Sequence, residues 1–414
     1  MRQKQGGEAR LSLWKMACAV CILGATAAIA SPAQTFSVLY SFRGQPDGAQ
    51  PTASVIADSA GNLYGMTEQG GAYGYGAVFE LKATGRETVL YSFKGKSDGG
   101  YPFYGSLLLD GAGNLYGTTA AGGLFNSICP PEGCGVVFKL SPTGRERALY
   151  SFTGGSDGYR PASSLIFDAA GNLYGTTAYG GADSSCVDPD GFYGCGVVFE
   201  LSPSGVETVL HSFTGADGWN PVSGLIRDHA GNLYGTTEAG GDLSACGGGG
   251  CGVVFKLDPT GVETVLYSFT GGSDGETPFP GVVQDPAGNL YGTTEAGGDL
   301  SACGGGGCGV VFKVDPTGNE TVLHTFSGAD GEFPIGVVRV ASGNLYGTTD
   351  GGGSNGFGAI FKVSPAGVET LLYSLTNSDG IDPEAGLLPY KGYLYGTTSG
   401  GGTANNGVVF KLSP

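Results

Sequence analysis

An Asp-Gly pair recurs at the same place in seven repeats of this 414-residue chain, at Asp47, Asp98, Asp157, Asp217, Asp274, Asp330 and Asp379. A ring of such carboxylates could bind cations or sugar hydroxyls. The same pair is also an ordinary turn, in which Asp accepts backbone N–H groups and Gly takes positive φ. A residue present in every repeat usually serves the repeat, so the turn reading is preferred. A second set, Asp58, Asp110, Asp168, Asp228 and Asp285, opens another turn. Val340 and Pro389 stand at that position in the last two copies, which again favours a turn role.

Other reactive residues are sparse. Cys18 and Cys21 lie in an N-terminal apolar run. The remaining eight cysteines form local pairs: Cys129/Cys134, Cys186/Cys195, Cys246/Cys251 and Cys303/Cys308. Even count, local pairing and export together imply disulfides. Two neighbouring loops could instead make a four-cysteine zinc site, but an oxidising compartment favours the bridges. Of three histidines, His211 and His324 replace the Tyr of a repeated strand and are read as structural substitutes, and His229 lies in a short turn. No Ser-His-Asp set or histidine cluster is visible. The recurring Gly-Gly pairs lack the Lys-Ser of a phosphate-binding loop. No catalytic residue, metal or cofactor is therefore assigned. Aromatic residues on long loops are the better binding hint: Tyr73, Tyr75, Tyr101, Tyr104, Phe125, Tyr159, Tyr179, Tyr193 and above all Trp219. Exposed rings can stack on sugar faces or simply cover the loop bases.

The elements that must carry these residues are repeats. Three landmarks recur seven times in fixed order. One is Tyr-Ser-Phe or a close variant, as at Tyr150-Ser151-Phe152. Another is Leu-Tyr-Gly-Thr-Thr, starting at Leu63 (with Met66 as its fourth residue), Leu115, Leu173, Leu233, Leu290, Leu345 and Leu394. The last is Val-Val-Phe or close to it, ending at Phe79, Phe138, Phe199, Phe255, Phe312, Phe361 and Phe410. Spacing between the Leu landmarks runs from 49 to 60 residues. Each period holds four short β-type runs, in the third repeat Ser164–Phe167, Asn172–Thr177, Gly196–Leu201 and Glu207–Phe213. Tight turns separate the first from the second and the third from the fourth. No run has a helical apolar period. Four strands in ~40–50 residues describe a propeller blade.

The four runs of a blade are named A, B (Leu-Tyr-Gly-Thr-Thr), C (Val-Val-Phe) and D (Tyr-Ser-Phe). The repeats begin with a D strand, Phe36–Phe42, and end with a C strand, Val408–Leu412. Pairing the two closes an all-β, seven-bladed β-propeller over residues 34–414 and removes two unpaired edges. The A–B and C–D turns are short. The D–A and B–C loops are long and variable, emerge on one face, and are where binding is expected.

Residues 1–33 read as an export signal. Arg2, Lys4, Arg10 and Lys15 precede an apolar run, Met16–Ala30, with small-residue cleavage candidates at Ala28-Ile29-Ala30 and Ser31-Pro32-Ala33. That run is shorter than the ~20 residues a spanning helix needs, and no later segment is apolar enough to cross a membrane. After cleavage the chain would hold 16 basic and 36 acidic residues, a net of −20. Such a charge repels phosphate backbones and anionic membranes, so nucleic acid is not an expected partner.

The succession Gly-Asn-Leu-Tyr-Gly-Thr-Thr, Gly-Gly, Gly-Val-Val-Phe-Lys-Leu and Glu-Thr-Val-Leu-Tyr-Ser-Phe resembles the GloVer tandem repeat of bacterial extracellular proteins. The resemblance covers residues 36–414. It implies export and extracellular or surface residence and supplies no catalytic residues. Members often carry a C-terminal sorting signal. This chain stops at Pro414 without one, so a secreted, unanchored monomer is expected, the periplasm being the other compartment. The leading expectation is a non-catalytic binding or surface-interaction protein whose partner is a glycan or a cell-surface protein. The alternatives are a carbohydrate-active lyase or hydrolase using loop-face carboxylates, and a structural envelope protein.

Overall fold

The computed structural model describes residues 34–129, 131–188 and 191–414. The expected export signal, residues 1–33, lies outside the described residues. Seven antiparallel sheets follow one another, each with strand order A–B–C–D. Blade 1 consists of Ile56–Ala57, Leu63–Thr67, Ala77–Leu81 and Glu87–Ser92, and blade 3 of Ile166–Phe167, Leu173–Thr177, Val197–Leu201 and Glu207–Ser212. Blade 7 takes Leu388–Tyr390, Tyr393–Thr398 and Val408–Leu412 from the end of the chain and Phe36–Ser41 from its start. Phe36 pairs with Leu412, Val38 with Phe410 and Ser41 with Val408. The ring is thus closed as expected.

In five blades the A strand is two residues long, shorter than the sequence suggests, whereas in blade 6 it runs over Glu332–Arg339. In blade 3 only Ile166–Phe167 pairs as a strand, not Ser164–Phe167. Ahead of it, a serine side chain substitutes for the ladder. Ser163 Oγ accepts from Thr176 N at 2.9 Å and donates to Thr176 O at 3.3 Å. Ser223 does the same for Thr236 in blade 4, at 3.1 and 2.9 Å. Blade 5 instead adds a fifth strand, Glu276–Pro278.

The landmark residues explain themselves in the core. The Val and Phe of each C strand are buried. The Gly of each B strand lies opposite the C-strand Phe. A Cβ on Gly175 would come within 2.8 Å of the Phe199 ring, so only glycine lets that ring cross the sheet. At six blade-to-blade seams the D-strand Phe meets the next blade's C-strand Phe edge to face, as Phe152 meets Phe199 at 5.2 Å and Phe326 meets Phe361 at 5.0 Å. At the 6–7 seam Leu375 replaces the first Phe. Phe36 fills in there, stacked on Tyr373 at 4.3 Å and against Phe410 at 5.2 Å. B-strand threonines bond the next blade's inner segment: Thr118 to Ser163 O, Thr176 to Ser223 O and, across the closure, Thr397 to Ala53 O, each within 3.1 Å.

The inner segments surround an axial cavity of about 210 Å³. Its wall takes one small residue from every blade: Ser54, Ser106, Ser164, Gly224, Gly281, Gly336 and Gly386. Tyr104, from blade 2, meets Phe279, from blade 5, with ring centroids 4.9 Å apart. These rings lie at the centre of a buried cluster with Ala162, Ala178, Val222 and Ile335.

Candidate functional site

Two columns of residues vary on this constant scaffold, and both sit on the long-loop side of the inner strands. The first follows Leu-Tyr-Gly-Thr-Thr: Glu68, Ala120, Ala178, Glu238, Glu295, Asp350 and Ser399. The second precedes an invariant proline in every D–A loop: Gln50, Tyr101, Arg160, Asn220, Thr277, Phe333 and Asp382. All seven of the second column adopt left-handed φ, between 51° and 60°. A non-glycine residue there stores strain of order 1 kcal/mol, and β-space is the usual choice before proline. Backbone bonds join the columns within each blade. Glu68 N donates to Gln50 O at 2.9 Å, Ala120 N to Tyr101 O at 3.0 Å, Glu238 N to Asn220 O at 3.2 Å and Ser399 N to Asp382 O at 2.9 Å.

The result is an acidic axial mouth with Tyr104 near its middle. Glu238 accepts from Asn220 Nδ2 at 2.6 Å. Burial, then the charge of Glu295, pushes it up to about 8. Burial, Asp350 and Glu384 push Glu295 up to about 7. Asp350 reaches about 7 by burial, with Asp382, Glu384 and Glu332 adding, and its Oδ1 is buried without a partner among the described residues. Tyr104 is raised by burial first, then by Glu384, Glu295, Glu238 and Asp350. Between blades 1 and 3 the mouth opens into a cleft of about 320 Å³ lined by Glu68, Tyr101, Phe103, Glu132 and Arg160. A larger concavity, about 890 Å³, lies on the opposite face among Asp228, His229, Lys256, Asp285 and Arg339. It is a shallow open groove, and Asp228 and Asp285 are spent holding Asn232 and Asn289 in their turns.

The Asp-Gly carboxylates do not gather at this mouth. Each is engaged beside its own D strand. Tyr40 donates to Asp47 at 2.8 Å, Tyr91 to Asp98 at 2.9 Å, Tyr150 to Asp157 at 3.0 Å, Tyr267 to Asp274 at 3.0 Å and Tyr373 to Asp379 at 2.9 Å. His211 and His324 pair with Asp217 and Asp330 at 3.1 and 2.9 Å. Trp219 is half-buried against the core cluster that includes Cys186 and Cys195, and its indole N–H has no acceptor among the described residues. The four expected disulfides are present, Cys129–Cys134, Cys186–Cys195, Cys246–Cys251 and Cys303–Cys308, with Cα separations of 5.1–5.4 Å. Sequence reasoning named Tyr101 as a long-loop aromatic and passed over the other members of the two mouth columns. Their signal was positional, since they are the places beside invariant residues where the repeat disagrees with itself.

A model of the Gloeobacter/Verrucomicrobia repeat matches residues 23–187, 186–305 and 300–414. The chain belongs to that repeat family. No curated protein matches it significantly. Among solved structures, the extracellular domain of a B. thetaiotaomicron one-component system is similar at 10% identity and TM-score 0.53, over 90% of this chain and 39% of that one. The extracellular domain of a B. thetaiotaomicron hybrid two-component system is similar at 13% and 0.53, over 92% and 42%. A protein designated a 6-phosphogluconolactonase from Bacteroides uniformis gives 19% and 0.49, over 81% and 88%. The first two share the fold with this family member. The four disulfides fit an oxidising compartment, and among the described residues no helix is long and apolar enough to cross a membrane.

Proposed function

We propose that this protein is an exported, non-catalytic binding protein that takes a neutral or cationic glycan at its acidic axial mouth. The observation that carries the reading is the pair of variable columns, with seven strained residues, on an otherwise repetitive ring. The left-handed backbone recurs in every blade and serves the repeat; what varies is the side chain that it presents at one rim of a rigid scaffold, where binding residues concentrate. The chemistry suits hydroxyl-rich or amine-bearing sugars. Carboxylates, Asn220 and Arg160 offer paired donors and acceptors, and Tyr101 and Phe103 offer faces for stacking. Cleavage after the N-terminal signal and secretion complete the proposal. A glycan array probed with the purified protein tests it. A hit should weaken at least tenfold in Glu68→Gln/Arg160→Ala, while Asp98→Asn leaves it unchanged. An array without hits, or equal binding by all variants, refutes it.

A second reading has one observation behind it. Glu238, at about 8, is protonated at neutral pH beside Glu295, as a general acid requires. If the protein cleaves the glycan it binds, Glu238→Gln should abolish turnover and retain binding.

A further inference from the structure

Six of the seven seams carry the same outer arrangement. The D-strand Tyr or His of one blade holds that blade's Asp, and a Glu opening the next blade's D strand faces both. Blades 3 and 5 alone supply histidine. His211, Asp217 and Glu263 place one ligand atom each within 4.8 Å of one another, and so do His324, Asp330 and Glu369. We propose that these two seams are binding sites for a divalent transition metal of the zinc class, one ion each, which would staple blade 3 to blade 4 and blade 5 to blade 6.

Several observations agree. The His Nε2–Asp Oδ2 separations, 3.1 and 2.9 Å, are close to the edge of about 3.3 Å that metal–ligand bonds of ~2.0–2.1 Å give in a tetrahedron. Glu263 Oε1 and Glu369 Oε1 are buried with no hydrogen-bond partner among the described residues, as are the matching oxygens of Glu87, Glu146, Glu207 and Glu320, but only at the two former does a histidine nitrogen stand within reach to complete a ligand set. A cation between the three groups would satisfy that oxygen and offset two adjacent carboxylates. The carboxylates are also aimed. Asp217 Oδ1 accepts from Thr214 N at 2.7 Å, and Asp330 Oδ1 from Ser327 N and Oγ at 2.8 Å, which leaves Oδ2 turned to the histidine. Access exists, because the histidine and aspartate side chains are 16–22% exposed. The loop from His to Asp is one residue shorter than at the Tyr seams of blades 1, 2, 4 and 7. The remaining short loop, after Tyr373, faces Phe36 where the glutamate would be, so histidine occurs only where a glutamate completes the set.

The test is zinc binding by purified, chelator-stripped protein, followed by calorimetric titration and by counting bound metal after desalting. Wild type should hold two equivalents, and its melting temperature should rise with zinc. His211→Tyr and His324→Tyr install the residue native to the other five blades, so the fold is kept. Each should remove one equivalent, and the double variant both, together with the thermal shift. Glu263→Gln/Glu369→Gln should weaken both sites at least tenfold. Fewer than one equivalent on wild type overturns the proposal, as does zinc retained by the double histidine variant, which would place the ion on the acidic loop face.

Discussion

Thr236 is the odd member of the threonine belt. Its hydroxyl is buried and unpaired, whereas Thr176 Oγ1 reaches Ser223 O at 3.1 Å. The next blade passes that level with Phe279-Pro280-Gly281, which breaks the pattern that Ser163 and Ser223 set. Thr236→Val should therefore change stability by less than about 0.5 kcal/mol, while Thr176→Val should cost about 1 kcal/mol, the net worth of one buried hydrogen bond. Urea unfolding of both variants checks the contrast. Trp219 makes a second residue-scale case. Half-buried on the Cys186/Cys195 cluster, it should cost about 2 kcal/mol on replacement by alanine, below the ~3–5 kcal/mol of a fully buried ring. At this scale the sequence was legible where a residue serves the repeat, as in the Asp-Gly turns. It was opaque at Glu238 or Arg160, because one copy of a variable column looks like noise until the fold sets seven of them around an axis.

The strand Phe36–Ser41 is the element on which closure depends. It completes blade 7 through five register pairs with Val408–Leu412. It also supplies the Phe36 ring to the one seam where Leu375 leaves room. Deleting residues 34–43 should lower the melting temperature by more than 10 °C or cause aggregation, since each lost pair costs ~0.5–1.5 kcal/mol and a domain of this kind holds only ~5–15 kcal/mol. A truncated protein that melts like the parent would contradict this. Strand identities, the offset that closes the ring and the disulfide pairing were all readable, because they follow from periodicity and local spacing. The length of the A strands was not. Ser163 and Ser223 replace backbone pairing with side-chain bonds, and no alternation of apolar residues records that exchange.

Across the whole molecule the seams sum to a pH response. Glu87, Glu146, Glu207, Glu263 and Glu320 are each pushed up to about 7, by burial above all, with the facing aspartate adding. The folded protein therefore holds protons that the unfolded chain, with glutamates near 4.5, gives up. That stability is fully present below about pH 4.5 and is lost as pH rises through about 7. Melting temperature should fall between pH 5 and 8, and Glu207→Gln, which mimics the protonated side chain, should flatten part of the slope. The global fold was legible because seven copies of one pattern average out local ambiguity; the coupling of one blade's Asp to the next blade's Glu was not, because a single repeat contains both and does not say that they meet across a boundary. The pairing of Phe36 with Leu412 also dictates an order in time. These partners are 376 positions apart, so a ribosome adding ~5–20 residues per second makes one of them roughly 20–75 s before the other. Throughout that interval the first strand can pack on blade 1, as Phe42 does on Phe79, but it has no strand to pair with and Tyr373, on which Phe36 stacks, does not yet exist. The newborn chain therefore carries one unpaired strand edge until its last strand emerges, and the ring can close only at the end of synthesis.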